Sequence, residues 1–176
     1  AGEWSVGPAL PDGVFGACAG VLCGRGYLCG GHSAGNGQGT GGLASVLVLE
    51  RDAGGRIGWS EGPALLSPRF SGCAAVLDGI LYVVGGCVHD GRHGASASME
   101  IYDPMVGQWS EAPLMSSTRI GAAAVALGGK LYVMGGVSGD SPLMSVEVYE
   151  PSTGTWGEGP PLLTQRAAAC AAVLSL

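Results

Sequence analysis

The sequence predicts an all-β protein assembled from repeated units of roughly 50 residues, and three observations support this. LYVVGG at residues 81–86 recurs as LYVMGG at 131–136 and, more divergently, as GYLCGG at 26–31. Tryptophans follow at matching positions, namely Trp59, Trp109 and Trp156, and Trp4 precedes the first copy. The 34 glycines and only 12% charged residues are typical of short strands joined by tight turns. This period indicates a solenoid or a propeller.

The first half of one unit predicts a β-hairpin. Residues 70–77 form a run of small apolar residues, which fits a strand packed on both faces. Asp78-Gly79 follows and is a type I′ turn signal, because both central residues of that turn need a positive φ. Residues 81–84 are the second strand, which ends at Gly85-Gly86. We expect this glycine pair to leave space for a bulky neighbour, such as the tryptophan ring.

The second half of the unit predicts two further strands. Residues 98–102 alternate polar and apolar, as expected of a half-buried third strand. A turn at Asp103-Pro104 leads to Trp109, which begins a fourth strand that ends at Pro113. Each unit is therefore predicted to be a four-stranded antiparallel meander.

Spacing separates a constant framework from a variable connection. The interval from each tryptophan to the next arginine is ten residues, for Trp59–Arg69, Trp109–Arg119 and Trp156–Arg166. Length varies mainly between each Gly-Gly and the third strand, and the first unit has a further insertion around 52–58. We therefore expect the connection from strand two to strand three to be free to change.

Composition limits the classes of partner. The net charge of −6, with Lys130 as the single lysine, argues against nucleic acid or an anionic membrane as the main partner. No apolar run reaches the roughly 20 residues needed to span a bilayer, and no signal peptide is visible. The six cysteines are interpreted as small buried apolar residues, since Cys18, Cys73 and Cys170 share one repeat position. This mildly favours a reducing, cytoplasmic setting.

The combined pattern resembles the kelch repeat over essentially the whole chain. It comprises an arginine, a small apolar strand, the LYVVGG strand, Ser-x-Glu-x-Tyr-Asp-Pro and a tryptophan. The resemblance implies a kelch-type β-propeller fragment with four-stranded antiparallel blades. We predict the last strand of a preceding blade at 1–12, complete blades at 13–64, 65–114 and 115–162, and the first strand of a following blade at 163–176.

Three substitutions depart from the pattern. Val14 replaces the arginine, Leu47 replaces the glutamate of Glu100 and Glu147, and Leu49 replaces the tyrosine of Tyr102 and Tyr149. The chain also stops before a fourth Gly-Gly, and its first residue is Ala1. We therefore expect a fragment of a larger propeller, or a ring that closes only with remaining blades or another chain.

Topology predicts the position of a binding face. In a four-stranded meander, the two–three connections and the four–one connections lie at the same end. Insertions confined to one face usually mark the binding face, and the resemblance implies peptide partners there. Arg69, Arg119 and Arg166 are expected to ring the channel mouth and bind an acidic peptide or a phosphate. Alternatively, each arginine pairs with a local glutamate or backbone carbonyl and joins neighbouring blades.

The variable loops supply the other candidate binding residues. These are His89, Asp90, Arg92, His93, Ser138 and Asp140. The alternative interpretation is that each of them is a solvent-exposed loop residue without a binding role.

Two function classes remain open. The leading hypothesis is a protein-interaction module, in the manner of a substrate-recognition or scaffold part of a larger protein. The alternative is a kelch-fold enzyme, such as a sugar epimerase or an oxidase. We find no catalytic constellation, and no cofactor is predicted. No metal is predicted either, because His89 and His93 lie on a predicted loop, where their spacing enforces no ligand geometry.

Overall fold

The computed structural model describes residues 3–33, 41–88 and 94–174, and three antiparallel four-stranded sheets follow one another along them. Each strand pairs with the next long strand of its own unit, so each sheet is a meander. The predicted all-β fold class with four-stranded blades is therefore confirmed.

The strands have the following bounds. The first blade comprises β1 (Val14–Phe15), β2 (Cys18–Leu22), β3 (Arg25–Cys29), β4 (His32–Ser33), β5 (Val46–Arg51) and β6 (Ile57–Glu61). The second comprises β7 (Cys73–Leu77), β8 (Ile80–Val84), β9 (Met99–Asp103) and β10 (Gln108–Ala112). The third comprises β11 (Ala123–Leu127), β12 (Lys130–Met134), β13 (Val137–Ser138), β14 (Ser141–Pro142), β15 (Val146–Glu150) and β16 (Thr155–Gly159). The short strands form the separate pairs β1–β4 and β13–β14.

The first hairpin of each blade has the predicted turn. Asp78 and Gly79 have φ values of 50° and 78°, and they connect β7 to β8. Cys23-Gly24 and Gly128-Gly129 occupy the equivalent places, also with positive φ at both residues. The type I′ pattern predicted from Asp78-Gly79 therefore holds in all three blades.

The Gly-Gly pairs serve a different purpose from the one expected. A Cβ on Gly85 would lie 2.6 Å from the carbonyl oxygen of Arg119, and the Gly86 amide donates a hydrogen bond of 2.8 Å to that same oxygen. The space beside Gly85 is therefore filled by the backbone of the next blade, and the space beside Gly86 by the backbone of Phe70 and Gly72. The expectation of a neighbouring tryptophan ring is wrong, because this close backbone approach leaves no room for an aromatic ring.

The tryptophans join successive blades by a hydrogen bond. The Trp109 indole Nε1 donates to the carbonyl of Pro63 at 2.8 Å, and the same bond joins Trp59 to Pro8 and Trp156 to Pro113. Each of these prolines lies four residues after the tryptophan of the preceding unit, so the contact recurs from one unit to the next.

The first strands β2, β7 and β11 lie side by side and are the innermost strands. Just before them, a relay of backbone hydrogen bonds crosses the blades, from Ser71 to Gly16, from Gly121 to Ser71 and from Ala168 to Gly121, at 2.6–2.8 Å. All four residues have positive φ. Small side chains of this region line a groove of about 420 Å³.

The hydrophobic core lies between the blades. Tyr27 and Val48 of the first blade pack with Leu81 and Tyr102 of the second. A second cluster joins the second and third blades in the same way. The ring centroids of Tyr27 and Tyr102 are 5.7 Å apart, and those of Tyr82 and Tyr149 are 6.1 Å apart. Each blade is thus stabilised mainly by its neighbours.

The segments before the first blade and after the third blade are not strands. Neither residues 3–12 nor residues 166–174 form a ladder, although flanking strands were expected there. The physical reason is that a strand needs a continuous ladder of hydrogen bonds, and the described residues give the second segment only isolated backbone bonds, such as those of Arg166 and Ala168. Their assignment to further blades stays a prediction. Within the described part of the chain, no helix is long and apolar enough to traverse a bilayer.

Candidate functional site

Backbone hydrogen bonds bring the variable connections and the arginine-bearing segments together. The Arg69 amide donates to the carbonyl of Leu43 at 3.0 Å, which joins the two–three connection of the first blade to the four–one connection that follows it. Arg119 bonds Ser96 in the same way, as does Arg166 with Leu143. We call the end of the sheets formed by the described parts of these connections the loop end.

Arg69 lies in a buried polar network within the second blade. The side chains of Arg69 and Glu100 are only 1% and 2% exposed and form an ion pair. Arg69 also donates to the Gly85 carbonyl at 2.8 Å and to the Ser98 hydroxyl at 3.0 Å. The Glu100 carboxylate accepts in addition from the amides of Leu66 and Ser67, at 2.7 and 3.0 Å. The network thus secures the incoming four–one connection.

Arg119 repeats the arrangement in the third blade. Its guanidinium pairs with Glu147 at 3.0 Å and donates to the carbonyl of Gly135 at 2.7 Å. It also bonds the carbonyl and the hydroxyl of Ser145, at 3.0 and 2.8 Å. Glu147 accepts from the amides of Ser116 and Ser117, at 2.7 and 3.2 Å. These partners consume the hydrogen-bonding directions that an external ligand would need.

The expectation that Arg69 and Arg119 bind a partner is therefore wrong for this structure. Both side chains are 1% exposed, and a partner could reach them only if the ion pairs opened. The alternative interpretation applies instead, in which the arginines tie structure together. Arg166 differs because its side chain is exposed. Its binding role stays a prediction.

The loop candidates are only partly described. Ser138 lies half-buried at the loop end, and its hydroxyl and that of Thr118 are hydrogen-bonded at 2.9 Å. Asp140 is exposed in the turn between β13 and β14. The candidates His89, Asp90, Arg92 and His93 lie outside the described residues. Among the residues that are described, no group of three or more His, Cys, Asp or Glu side chains could hold a metal ion.

An aromatic cluster at the loop end was missed in the sequence. The Phe15 ring stacks on the His32 ring with centroids 4.9 Å apart, and the Phe70 ring meets His32 edge-on at 5.7 Å. Phe15 is 56% exposed. Phe15 and Phe70 are the two phenylalanines of the chain and share one repeat position, whereas His32 directly follows a Gly-Gly. The recurrence of phenylalanine at one repeat position, together with a histidine after a Gly-Gly, was the sequence signal that could have indicated this cluster.

The cysteines divide into two classes. Cys18, Cys29, Cys73 and Cys87 are buried, as the interpretation as small apolar residues predicts, whereas Cys23 and Cys170 are exposed. Burial raises the pKa of Cys18 and of Cys73 from the usual 9.0 to about 12. It also raises the pKa of Cys29. The thiols of Cys18, Cys29 and Cys73 are thus held in the unreactive protonated form.

We expect maleimide at pH 8 to modify Cys23 and Cys170 of the folded chain and to spare the four buried cysteines. A rise in thiol pKa from 9.0 to about 12 lowers the thiolate fraction roughly a thousandfold, and burial blocks access as well. Peptide mass spectrometry after brief labelling measures this, with labelling in guanidinium chloride as the control for all six thiols. Modification of Cys18 as rapid as that of Cys23 would contradict the prediction.

Meandering four-stranded sheets, first strands side by side and core residues between the sheets together define a set of β-propeller blades. The Kelch motif family model matches residues 68–116 and 118–163, and the chain belongs to the kelch-repeat family. Human Kelch-like protein 33 is 46% identical over 48 residues, which are 27% of this chain and 9% of that protein. The chain therefore spans only a small part of that relative.

A solved structure shares the fold. The structure titled "Structure of YjhT" superposes with a TM-score of 0.72 at 20% identity, and the match covers 93% of this chain and 56% of that one. At this identity the similarity concerns the fold alone. The chain thus spans a little over half of that protein.

Proposed function

We propose that the chain is a protein-interaction module that binds a segment of a partner protein at the loop end, as a substrate-recognition or scaffold part of a larger protein. The observation that carries this proposal is the stacked Phe15–His32–Phe70 cluster. Exposed aromatic residues beside half-buried ones are typical anchors of protein interfaces. Kelch repeats generally bind other proteins, which supports the same class of function.

Comparison of equivalent positions in the repeats favours a binding role for this cluster over a purely structural one. The position of Phe15 and Phe70 is occupied by Ile120 and Ala167 in the later copies, and the position of His32 by Cys87 and Val137. A purely structural position would not need a ring that leaves more than half of its surface in water. The cluster is also continuous with the variable connections, because Phe15 and His32 pair in the β1–β4 ladder where the first of them begins.

The charge expected of the partner changes with the structure. An acidic partner was inferred from three converging arginines, and two of these are buried in internal ion pairs. The net charge of −6 favours a neutral or basic segment instead. The Ser138 and Asp140 region is the second part of the proposed surface.

The proposal is tested with peptides selected from a random library against the folded chain. We expect Phe15→Ser to weaken the selected peptides at least tenfold, because an exposed aromatic anchor contributes strongly to binding and little to folding. Leu127→Ser is the matched control, since Leu127 is 54% exposed at the opposite end of the blade. Circular dichroism checks that both variants are folded. Peptides that tolerate Phe15→Ser but lose affinity with Leu127→Ser would place the binding face at the other end, and failure to select any peptide would count against the module.

We also propose that a further kelch-type blade, from the same polypeptide or another chain, packs on the third blade. Tyr132 and Leu162 are only half-buried, whereas their counterparts Tyr82 and Met115 in the second blade are buried by the blade that follows. The four buried cysteines, which serve as small apolar side chains, support a reducing, cytoplasmic setting.

A further inference from the structure

The first blade lacks the buried ion-pair network of the other two, and four positions have changed together. Val14 stands in place of the arginine, and Leu47 in place of the glutamate. Pro11 occupies the position of Leu66 and Ser116, whose amides donate to the carboxylate, and proline has no amide hydrogen. Asp12 occupies the position of Ser67 and Ser117, the other amide donors.

The joint replacement follows from the energetics of buried polar groups. If one member of such a network is removed, its partners stay buried without water or a counter-charge. This destabilises the fold more than replacing the whole network by apolar side chains does. Val14 and Leu47 remove both charges, and Pro11 removes a donor that would otherwise lose its acceptor. The first blade is therefore adapted to the loss of the network.

The replacement leaves a cavity of about 320 Å³ at the loop end of the first blade. Val14, Leu43 and Leu47 form its apolar wall, and Asp12, Ser45 and Glu61 supply its polar groups. Among the described residues, no lysine or arginine lines it. The volume lies in the range of sites that take small groups, and both charged groups in the lining are acidic.

We propose that this cavity binds an arginine or lysine side chain of a basic partner segment, a hypothesis that rests on the proposed interaction function. The equivalent space in the second and third blades holds a guanidinium, so the backbone geometry already suits one. Ser45 has the position from which Ser98 and Ser145 accept hydrogen bonds from arginine. The apolar wall suits an alkyl stem, and Asp12 and Glu61 complement its charged end.

The cavity adjoins the proposed aromatic anchor. Val14 directly precedes Phe15, and both belong to β1, which pairs with His32–Ser33. Because successive residues of a strand point to opposite faces, a partner segment would contact both sites only by passing around the β1–β4 pair. The partner supplies in trans the arginine that the first blade lacks.

The probe is a blocked pentapeptide with one arginine flanked by glycines, titrated into the 176-residue chain. The Trp59 indole resonance in NMR spectra reports binding, because Trp59 also lines the cavity. We expect saturable shifts with arginine, and at least tenfold weaker binding of the same peptide with neutral citrulline. Equal shifts from the two peptides would overturn the proposal.

Two sets of variants locate the site. Val14→Arg combined with Leu47→Glu rebuilds the internal ion pair and fills the cavity, so it should abolish the arginine-dependent shifts. Glu61→Gln should weaken binding several-fold, whereas Glu111→Gln, at the same repeat position in the second blade, should have no effect. Should the double variant fail to fold, the Glu61 and Glu111 comparison decides, and equal effects of these two would overturn the proposal. Peptides that still depend on Phe15 while the arginine probe does not bind would refute the cavity alone.

Discussion

Glu147→Leu is expected to lower the free energy of unfolding by about 3–5 kcal/mol. Glu147 is 4% exposed and is the counter-charge of the fully buried Arg119. Without the carboxylate, the guanidinium stays enclosed with only carbonyl and hydroxyl acceptors, and two backbone amides of the four–one connection lose their acceptor. Urea denaturation, followed by tryptophan fluorescence, measures the loss.

The matched control is Glu150→Leu in the same strand. Glu150 also forms an ion pair, with Lys130 at 3.1 Å, but the side chains of Lys130 and Glu150 are 46% and 30% exposed. Water screens such a pair, so a much smaller effect is expected. Similar losses for Glu147→Leu and Glu150→Leu would show that the buried network does not stabilise the blade.

A double variant tests whether the network acts as a unit. Combining Arg119→Val with Glu147→Leu reproduces the Val14 and Leu47 pair of the first blade. We expect this variant to be more stable than Glu147→Leu alone by at least about 1–2 kcal/mol, because no charge is left buried without a partner. Strictly additive losses would argue against coupling between the two residues.

Local conformational requirements made much of the fold predictable. The Asp78-Gly79 turn and the Gly85-Gly86 pair need positive φ, and that need is visible in the residue types. The constant interval after each tryptophan then predicted where the next blade begins. What lies beside Gly85 was not predictable in this way, because the Arg119 carbonyl comes from the next blade.

The candidate site was harder to predict because recurrence does not reveal burial. An arginine that recurs in each unit is consistent with partner-binding residues around the channel mouth and equally with internal ion pairs. Arg69 and Arg119 are each accompanied by a glutamate at the same position of the third strand, and both partners are absent where Val14 and Leu47 stand. That joint loss indicates a physical pair, and it could have decided between the alternatives.

The aromatic cluster and the flanking segments mark two other limits. Phe15, His32 and Phe70 meet only because β1 pairs with β4 and the next blade packs beside them. Residues 3–12 resemble the end of a fourth strand in sequence. A strand forms only where a second strand pairs with it, and residue types alone do not show whether that second strand is present.

Gly85→Ala is expected to lower the free energy of unfolding by about 2–5 kcal/mol. Gly85 has a φ of 65°, and a left-handed conformation costs a residue with a Cβ about 1–2 kcal/mol. The new Cβ would also stand 2.6 Å from the Arg119 carbonyl oxygen, so the second and third blades would have to separate locally. That displacement weakens the Gly86 to Arg119 hydrogen bond, and overpacking adds about 1–3 kcal/mol.

Gly79→Ala separates backbone strain from the contact between blades. Gly79 has a comparable φ of 78°, but a Cβ there meets no atom within 4 Å, so only the strain of about 1–2 kcal/mol is expected. Denaturant midpoints of the two variants give the difference directly, and equal losses would mean that the close approach to Arg119 contributes nothing. Gly135→Ala should fall between them, because its neighbour, the Arg166 carbonyl, belongs to an exposed segment without strand partners that can shift at little cost.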